Sequence, residues 1–260
     1  VVSGEKFIII NFSKFSSIKI GPKIKVKIID ESNYNNEFLI GRATNTLISS
    51  NAKNLGILSD KYKFIEYKNG YLKVGGKVKN RVIYNFCKRK NIGGFEFLSH
   101  LPGSIGGSIK MNAGVKNEEI SNNLIAIKTL NGWIEKKDIL FNYRYSNINA
   151  PIFEALFEIK RNYDPFLDKY LENLRFNQPK EPSLGSVFKN PKGDFAGRVI
   201  EKAGLKGMKK GDIQISRIHA NFFVNLGEGK FEDMIYLINL AKKRVYENFG
   251  IKLTEEIKII

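Results

Sequence analysis

The segment Ser183-Leu-Gly-Ser-Val-Phe-Lys-Asn190 places a hydroxyl, Ser186, directly after a glycine and just ahead of Lys189 and Asn190. Taken alone, it reads as a tight turn running into a short strand. Three other segments give it chemical company: Leu101-Pro-Gly-Ser-Ile-Gly-Gly-Ser-Ile-Lys-Met-Asn-Ala-Gly114, Tyr143-Arg-Tyr-Ser146 and Glu255-Glu-Ile-Lys258. A glycine-rich loop, a hydroxyl, a guanidinium and a late carboxylate suggest a cofactor-dependent enzyme acting on an anionic substrate. Ser186 does not read as a hydrolase nucleophile, because His100 and His219 are the only histidines and neither lies in a hydrolase motif. One cysteine and two distant histidines make no visible metal-ligand cluster, so no metal is expected.

Gly41-Arg-Ala-Thr-Asn45 and the 101–114 loop share one physical logic. Glycine permits positive φ and lets backbone N–H groups approach phosphate oxygens without a Cβ clash. Gly103, Gly106, Gly107 and Gly114, set around Ser104 and Ser108, could cradle a pyrophosphate. Neither loop is a Walker A sequence or a Gly-x-Gly-x-x-Gly fingerprint. From chemistry alone, a phosphate cradle and a tight structural loop stay equally open. The Arg144 fork suits two-point pairing with a carboxylate, though an isolated arginine is ordinarily a surface residue. His219 reads equally as a ligand-facing group and as a packed, hydrogen-bonded one.

The elements that must position these groups alternate without a regular βαβ rhythm, which argues an α+β fold. Val1 to Ile10 reads as an early strand rather than a signal peptide. Ile8 to Ile29 reads as short strands around Gly21-Pro22, and Phe38 to Ile48 as strand, loop and apolar return. Tyr71 to Val78 has a strand-pair pattern. Val78 to Asn91 is expected as an amphipathic helix carrying Val78, Val82, Ile83, Phe86 and Cys87, ended by Gly93-Gly94, with Cys87 buried and structural. Ile120 to Lys136 and Ile152 to Arg161 read as strands, with Trp133 packing in a hairpin. Asp164 to Phe176 is expected as a helix capped by Asp164. The proline-bearing stretch Asn177 to Pro182 is a candidate boundary. Beyond it, Asp194 caps a helix ending at Gly204, and strands flank His219. Phe231 to Phe249 is the clearest helix, with Met234, Ile235, Ile238, Leu240, Ala241, Val245 and Phe249 on one stripe and Gly250 closing it. Leu253 to Ile260 alternates as a terminal strand.

With 260 residues, 42% hydrophobic and 27% charged, the chain has an ordinary globular composition. No run reaches the roughly 20 apolar residues of a membrane span. A lone cysteine allows no internal disulfide and fits a reducing compartment, so a cytoplasmic location is expected. The net charge of +17 is spread along the chain with no basic tail or nucleic-acid motif. It reads chiefly as lysine-covered surface, then as bulk attraction for phosphorylated small ligands.

In order and content, these segments resemble the UDP-N-acetylenolpyruvoylglucosamine reductase (MurB) family of peptidoglycan synthesis. That family's first loop typically reads Gly-Gly-Gly-Ser-Asn, and its second Ile-Pro-Gly-Thr-Val-Gly-Gly followed by Met-Asn-Ala-Gly. The second is kept almost intact here, preceded by the matching Gly94-Phe-Glu-Phe97. The first departs, with Arg42 and Ala43 at glycine positions and Thr44 at the serine. Ala43 argues against a positive φ there, and Arg42 reads either as a contact to a cofactor pyrophosphate or as a solvent-facing side chain. Ala203 to Gly207, Gln214 to Ser216 and His219 to Asn221 match further family segments.

The resemblance implies a two-subdomain FAD-binding fold of the vanillyl-alcohol-oxidase (PCMH) type over residues 1–176, divided near 1–54 and 55–176. An α+β substrate-binding domain over 177–250 and a terminal strand, 251–260, returning to the active site would follow. It also implies one non-covalent FAD held by Gly41, Arg42, Ala43, Thr44, Asn45, Pro102, Gly103, Ser104, Gly106, Gly107, Ser108, Asn112, Ala113 and Gly114. NADPH would supply the hydride, and UDP-N-acetylglucosamine enolpyruvate would be reduced to UDP-N-acetylmuramate. Arg144, in the family's Tyr-Arg-x-Ser, would activate the enolpyruvyl carboxylate. Ser186 would deliver a proton to C2 after hydride reaches C3. Glu256, placed immediately before the family's Val/Ile-Arg/Lys-Ile-Ile ending, would support the enolic form. Tyr143, Lys189, Asn190 and His219 would face the UDP-sugar. The short interval from Arg144 to Ser186 matches the family's shorter type, which lacks the inserted capping segment. Partners would then be the UDP-sugar and NADPH, with no nucleic acid and no membrane, in a monomer.

Overall fold

The computed structural model describes residues 6–260, which form two compact units. The first unit comprises the described residues up to Ile8, Val26–Gly41 and Asn54–Phe176; the second comprises Ile9–Lys25, Arg42–Lys53 and Asn177–Ile260. The division after Phe176 adjoins the proline-bearing stretch. The segments 9–25 and 42–53 group with the C-terminal part, so compactness cuts across the contiguous regions drawn from the sequence. Val1 to Glu5, the start of the early-strand reading, lie outside the described residues.

The first unit is built on a five-stranded antiparallel sheet. Its order is Gly132–Glu135, Leu124–Thr129, Glu154–Glu158, Tyr71–Gly75 and Ile65–Lys68. Leu72 and Val74 alternate inward from the Tyr71–Gly75 strand and meet Ala155 and Phe157 in a common core. The helix Asn80–Arg89 adds Ile83 and Cys87 to that core, while Val82 stands exposed and Val78 precedes the helix. Burial first, then the charge of Glu96, pushes the Cys87 thiol up to about 12, which leaves it inert. In a short parallel set, Leu55–Leu58 pairs on one side with Lys27, Ile28 and Ile29 of the strand Lys23–Ile29 and on the other with Phe38–Leu39. Trp133 is half exposed on its hairpin instead of packed, because its strand lies at the sheet edge.

Glu96 locks the segment ahead of the glycine loop. Its fully buried carboxylate takes Arg161 in two-point geometry at 2.9 and 3.2 Å, and also accepts from the Gly94 and Asp164 amides at 2.8 and 2.9 Å. Asp164 caps the helix Pro165–Asn173 by accepting from Phe166 N and Leu167 N, as its position before a proline predicts.

The second unit has a four-stranded antiparallel sheet, ordered Ser183–Ser186, Phe222–Asn225, Ile213–Ile215 and Lys209–Lys210. The helix Phe231–Phe249 buries Met234, Leu237, Ile238, Ala241 and Val245, a spacing of three, four and seven that makes one face. Gly250 ends it in the left-handed region at φ 67°. Phe249 continues that spacing but sits in the last turn, where it is exposed. The helix Ala196–Lys202 adds Val199 and Ile200 to the same core. Asp194 serves Phe195 N, while the Ala196 amide is capped by Asn190 Oδ1 at 3.1 Å. A short helix, Phe12–Phe15, interrupts the expected strands near the N-terminus and starts from the Asn11 side chain. Among the described residues, no helix is long and apolar enough to cross a membrane.

Candidate functional site

In the first unit, the glycine loop lies against residues 76–80. Ile105 N donates to Val78 O at 2.9 Å and Gly106 N to Gly76 O at 3.0 Å. A Cβ on Gly106 would stand 3.1 Å from Gly76 O, so close backbone approach alone accounts for this glycine. Asn80, which no sequence pattern singled out, is the clamp: its amide donates to Leu101 O at 3.1 Å and to Ser108 Oγ at 2.8 Å. Ser108 answers at 3.1 Å to Asn80 Oδ1. Its hydroxyl is therefore engaged inside the protein, not turned outward as a phosphate contact would require. Ser104 is buried too, and a Cβ on Gly41 would sit 2.9 Å from its Oγ, so the head of the first loop touches the second. Pro102 and Gly107 are exposed, and Gly103 adopts φ 133°.

Two features of this loop suit a bound phosphate-bearing group. Gly107 is exposed, and a Cβ there would meet nothing nearer than Ser104 Oγ at 3.7 Å, so packing does not explain its lack of a side chain. Asn112 is buried at φ 44°, and its Oδ1 has no hydrogen-bond partner among the described residues. A buried acceptor of this kind calls for a donor, which a hydroxyl or ring N–H of such a group can supply and its ionised phosphate oxygens cannot.

Arg144 occupies the second position of a two-residue turn between Phe141–Asn142 and Tyr145–Ser146, at φ 53°. An arginine in the left-handed region costs roughly 1–3 kcal/mol, and such outliers cluster at functional sites. Its Nη2 donates to Gly114 O at 2.8 Å, its guanidinium stacks on Tyr143 with 5.1 Å to the ring centroid, and Ser146 Oγ anchors the turn to Lys110 O at 2.8 Å. The serine of Tyr-Arg-x-Ser thus fixes the arginine against the end of the glycine loop. Ala113 joins the same corner through its carbonyl, which accepts from Ile120 N at 2.9 Å. Arg175 was not legible in the sequence. Burial, and then the charge of Arg144, push its guanidinium down to about 10, still cationic at neutral pH. Two interacting guanidiniums make this corner suited to an anion.

The second unit gathers Arg42 to Asn45, Ser186 and Glu256. Gly185 adopts φ 80° at an irregularity in the pairing between Ser183 and Ser186, a bulge that re-aims the following serine. The strand is then held on both edges. Asn221 donates from Nδ2 to Phe188 O at 2.8 Å and accepts from Phe188 N at 2.9 Å. On the other edge Glu256 N donates to Val187 O at 2.8 Å, and Lys189 N to Thr254 O at 2.9 Å. Ser186 and Glu256 therefore flank one residue, Val187.

The terminal segment is well anchored, with Leu253 and Ile257 buried. Lys258–Ile259 pair in parallel with Thr46–Leu47, and Asn45 Nδ2 donates to Glu256 O at 3.1 Å. Only this pair is regular strand; the expected alternation from Leu253 gives way to the isolated Glu255–Phe188 bridge. Glu255 is paired with Lys242 at 2.8 Å.

Ala43 takes φ 48° and is buried, which corrects the expectation that alanine argues against a positive φ there. Arg42 is half-buried over the Phe15 ring at 4.9 Å rather than pointing to solvent, and Thr44 is half-buried beside it. Asn190 spends its side-chain oxygen on a helix start, and Lys189 is half-buried. His219 packs so closely on Gly197 that a Cβ there would come within 2.8 Å of the ring, and its Nδ1 accepts from Asn221 N at 3.2 Å. Burial holds its pKa below the ordinary histidine value. The ring is thus neutral and partly structural.

A model of the C-terminal domain of UDP-N-acetylenolpyruvoylglucosamine reductases matches residues 178–260. The reductase of that name from Campylobacter jejuni strain RM1221 is 48% identical over 257 residues, covering 97% of this chain and 100% of the relative. Its counterpart from Helicobacter hepaticus is 43% identical over 258 residues, covering 97% and 98%. The crystal structure of the Thermus caldophilus reductase (MurB) aligns with a TM-score of 0.86 at 24% identity, over 98% of this chain and 99% of that one. At that identity, the likeness speaks for the fold.

Proposed function

The chain belongs to the UDP-N-acetylenolpyruvoylglucosamine reductase family, and on that premise we propose that it uses NADPH and non-covalent FAD to reduce UDP-N-acetylglucosamine enolpyruvate to UDP-N-acetylmuramate. It is a reductase of the flavin-dependent type, acting in peptidoglycan synthesis. We place it in the cytoplasm, with the UDP-sugar and NADPH as its small-molecule partners. The observation that carries the proposal is the double-edged clamp on the Ser186 strand, which sets Ser186 and Glu256 on either side of Val187.

Bound FAD would supply the hydride chemistry that links NADPH to C3 of the enolpyruvyl double bond. Gly107, Asn112 and the 41–45 loop are assigned to holding it. Arg144 binds the substrate carboxylate, where negative charge grows as C3 gains hydride, and Glu256 supports the enolic form. Ser186 gives its hydroxyl proton to C2. A serine hydroxyl is a weak acid, so this transfer needs a strongly basic carbon and a proton returned from solvent. The balance is one hydride and one proton added across one C=C bond, with NADPH oxidised.

Purified protein that shows a flavin spectrum, releases FAD on acid precipitation, and oxidises one NADPH per UDP-N-acetylmuramate formed would support the reading. Failure to take up FAD on reconstitution would overturn it, as would NADPH oxidation indifferent to the enolpyruvyl nucleotide.

A further inference from the structure

The hairpin that follows the glycine loop carries two adjacent carboxylates with different partners. Gly114–Val115 pair with Glu118–Glu119, so Gly114 stands opposite Glu119. Successive side chains of a strand point to opposite faces. Glu118 accordingly meets Arg161 at 3.3 Å, while Glu119 Oε2 accepts from Asn112 Nδ2 at 2.7 Å. The same Asn112 nitrogen donates at 3.2 Å to the carbonyl of Asn142, the residue that enters the Tyr143-Arg144 turn. From the other side, Arg144 Nη2 holds Gly114 O at 2.8 Å.

We propose that Glu119 is a positioning residue for Arg144, acting through the Asn112 amide. Both partners of that amide nitrogen are pure acceptors, a carboxylate and a carbonyl. Turning the amide over would set Oδ1 against both, so the pair of acceptors fixes the nitrogen inward and leaves Oδ1 as the outstanding acceptor. Asn112 at φ 44° and Arg144 at φ 53° are both held in a conformation that their side chains disfavour. The ties between them are what oppose relaxation. Without the Glu119 carboxylate, the Asn112 amide loses the stronger of its two acceptors, its hold on Asn142 O weakens, and the arginine turn loses one of the ties that fix it. The backbone pairing of Gly114 with Glu119 does not depend on the side chain, so the hairpin survives the change. This inference rests on the reading that Arg144 meets the substrate carboxylate.

The test compares Glu119→Ala, Glu119→Gln and Glu118→Ala in the FAD-loaded protein. Glu119→Ala should raise KM for the enolpyruvyl nucleotide roughly 10- to 100-fold, the range of one charge-assisted hydrogen bond. Glu119→Gln still offers a carbonyl oxygen to Asn112 and should restore KM to within about threefold of wild type. Glu118→Ala should lower the melting temperature without moving KM. Amide hydrogen exchange across Asn142–Ser146 reads the positioning without any substrate: Glu119→Ala should speed it and the other two should not. The proposal is overturned if exchange and KM are unchanged in Glu119→Ala, if Glu118→Ala matches it, or if Glu119→Gln is equally damaging. Wild-type protein that ignores the enolpyruvyl nucleotide would overturn the activity instead, and the exchange comparison would still decide the positioning.

Discussion

Gly107→Ala separates a phosphate cradle from a merely tight loop, because the two readings predict opposite consequences. Gly107 lies inside the helix Ile105–Lys110 with an ordinary φ, and the nearest atom to an added Cβ is Ser104 Oγ at 3.7 Å. Nothing in the protein opposes the methyl. Alanine is better than glycine within a helix by roughly 0.5–1 kcal/mol, so the FAD-free protein should gain about that much stability. If the exposed backbone at Gly107 meets the pyrophosphate, the same methyl blocks that approach. Loss of one hydrogen bond to a charged oxygen is worth roughly 1.5–3 kcal/mol, which weakens FAD binding about 10- to 100-fold. Gly106→Ala is the contrast: its Cβ would press on Gly76 O at 3.1 Å and Ile152 O at 3.4 Å, both backbone atoms. Overpacking of that kind costs about 1–3 kcal/mol and should cancel or exceed the helix gain. Urea denaturation of apoprotein gives the first quantity, and titration of FAD fluorescence quenching the second. An unchanged FAD affinity in Gly107→Ala would refute the cradle, and a destabilised apoprotein would refute the packing argument.

Glu96→Ala should cost about 3–5 kcal/mol in urea denaturation, since it leaves Arg161 and two backbone amides without their buried acceptor. Because burial lowers the His219 pKa, the unfolded chain binds its proton first as pH falls. Stability should therefore drop from about pH 6.5 downward until the folded pKa is passed, and His219→Gln should remove that slope in denaturation series run from pH 7.5 to 5. Ala43→Gly should change stability by less than about 1 kcal/mol, because relief of the strain at φ 48° offsets the added freedom of the unfolded chain. Ala43→Val should cost more than about 2 kcal/mol, a β-branched residue being poorly suited to that backbone.

How much was legible depended on whether a residue's partner lies near in sequence. The Phe231–Phe249 helix shows itself through repeated local spacing, and Asp164 with Pro165 announces its own helix. The four-residue helix Phe12–Phe15 is too short for any periodicity and depends on the Asn11 cap. Trp133 and Phe249 are apolar by type yet exposed, because an edge position and a helix end leave them outside the core. At the candidate site, resemblance pointed to Arg144, Ser186 and Glu256, but not to what holds them. Asn80, Glu96 and Glu119 bond to partners tens of residues away or across a hairpin, and a single Asn or Glu carries no local sign of that. Ser108 shows the reverse case: its type and place suggested a phosphate contact, while its hydroxyl bonds to Asn80.

If Ser186 protonates the substrate carbon, Ser186→Ala should impair one half-reaction and spare the other, which stopped-flow measurement separates. Reduction of bound FAD by NADPH should stay near the wild-type rate, because it precedes proton delivery. Reoxidation by UDP-N-acetylglucosamine enolpyruvate should fall at least about 100-fold, the scale of a positioned general acid. Ser183→Ala is the internal control; its hydroxyl only accepts from Gly185 N at 3.4 Å, and its loss should cost much less. Ser186→Cys, which keeps a donor, should recover part of the rate. Equal slowing of both half-reactions in Ser186→Ala, or a larger loss of reoxidation in Ser183→Ala, would contradict the account.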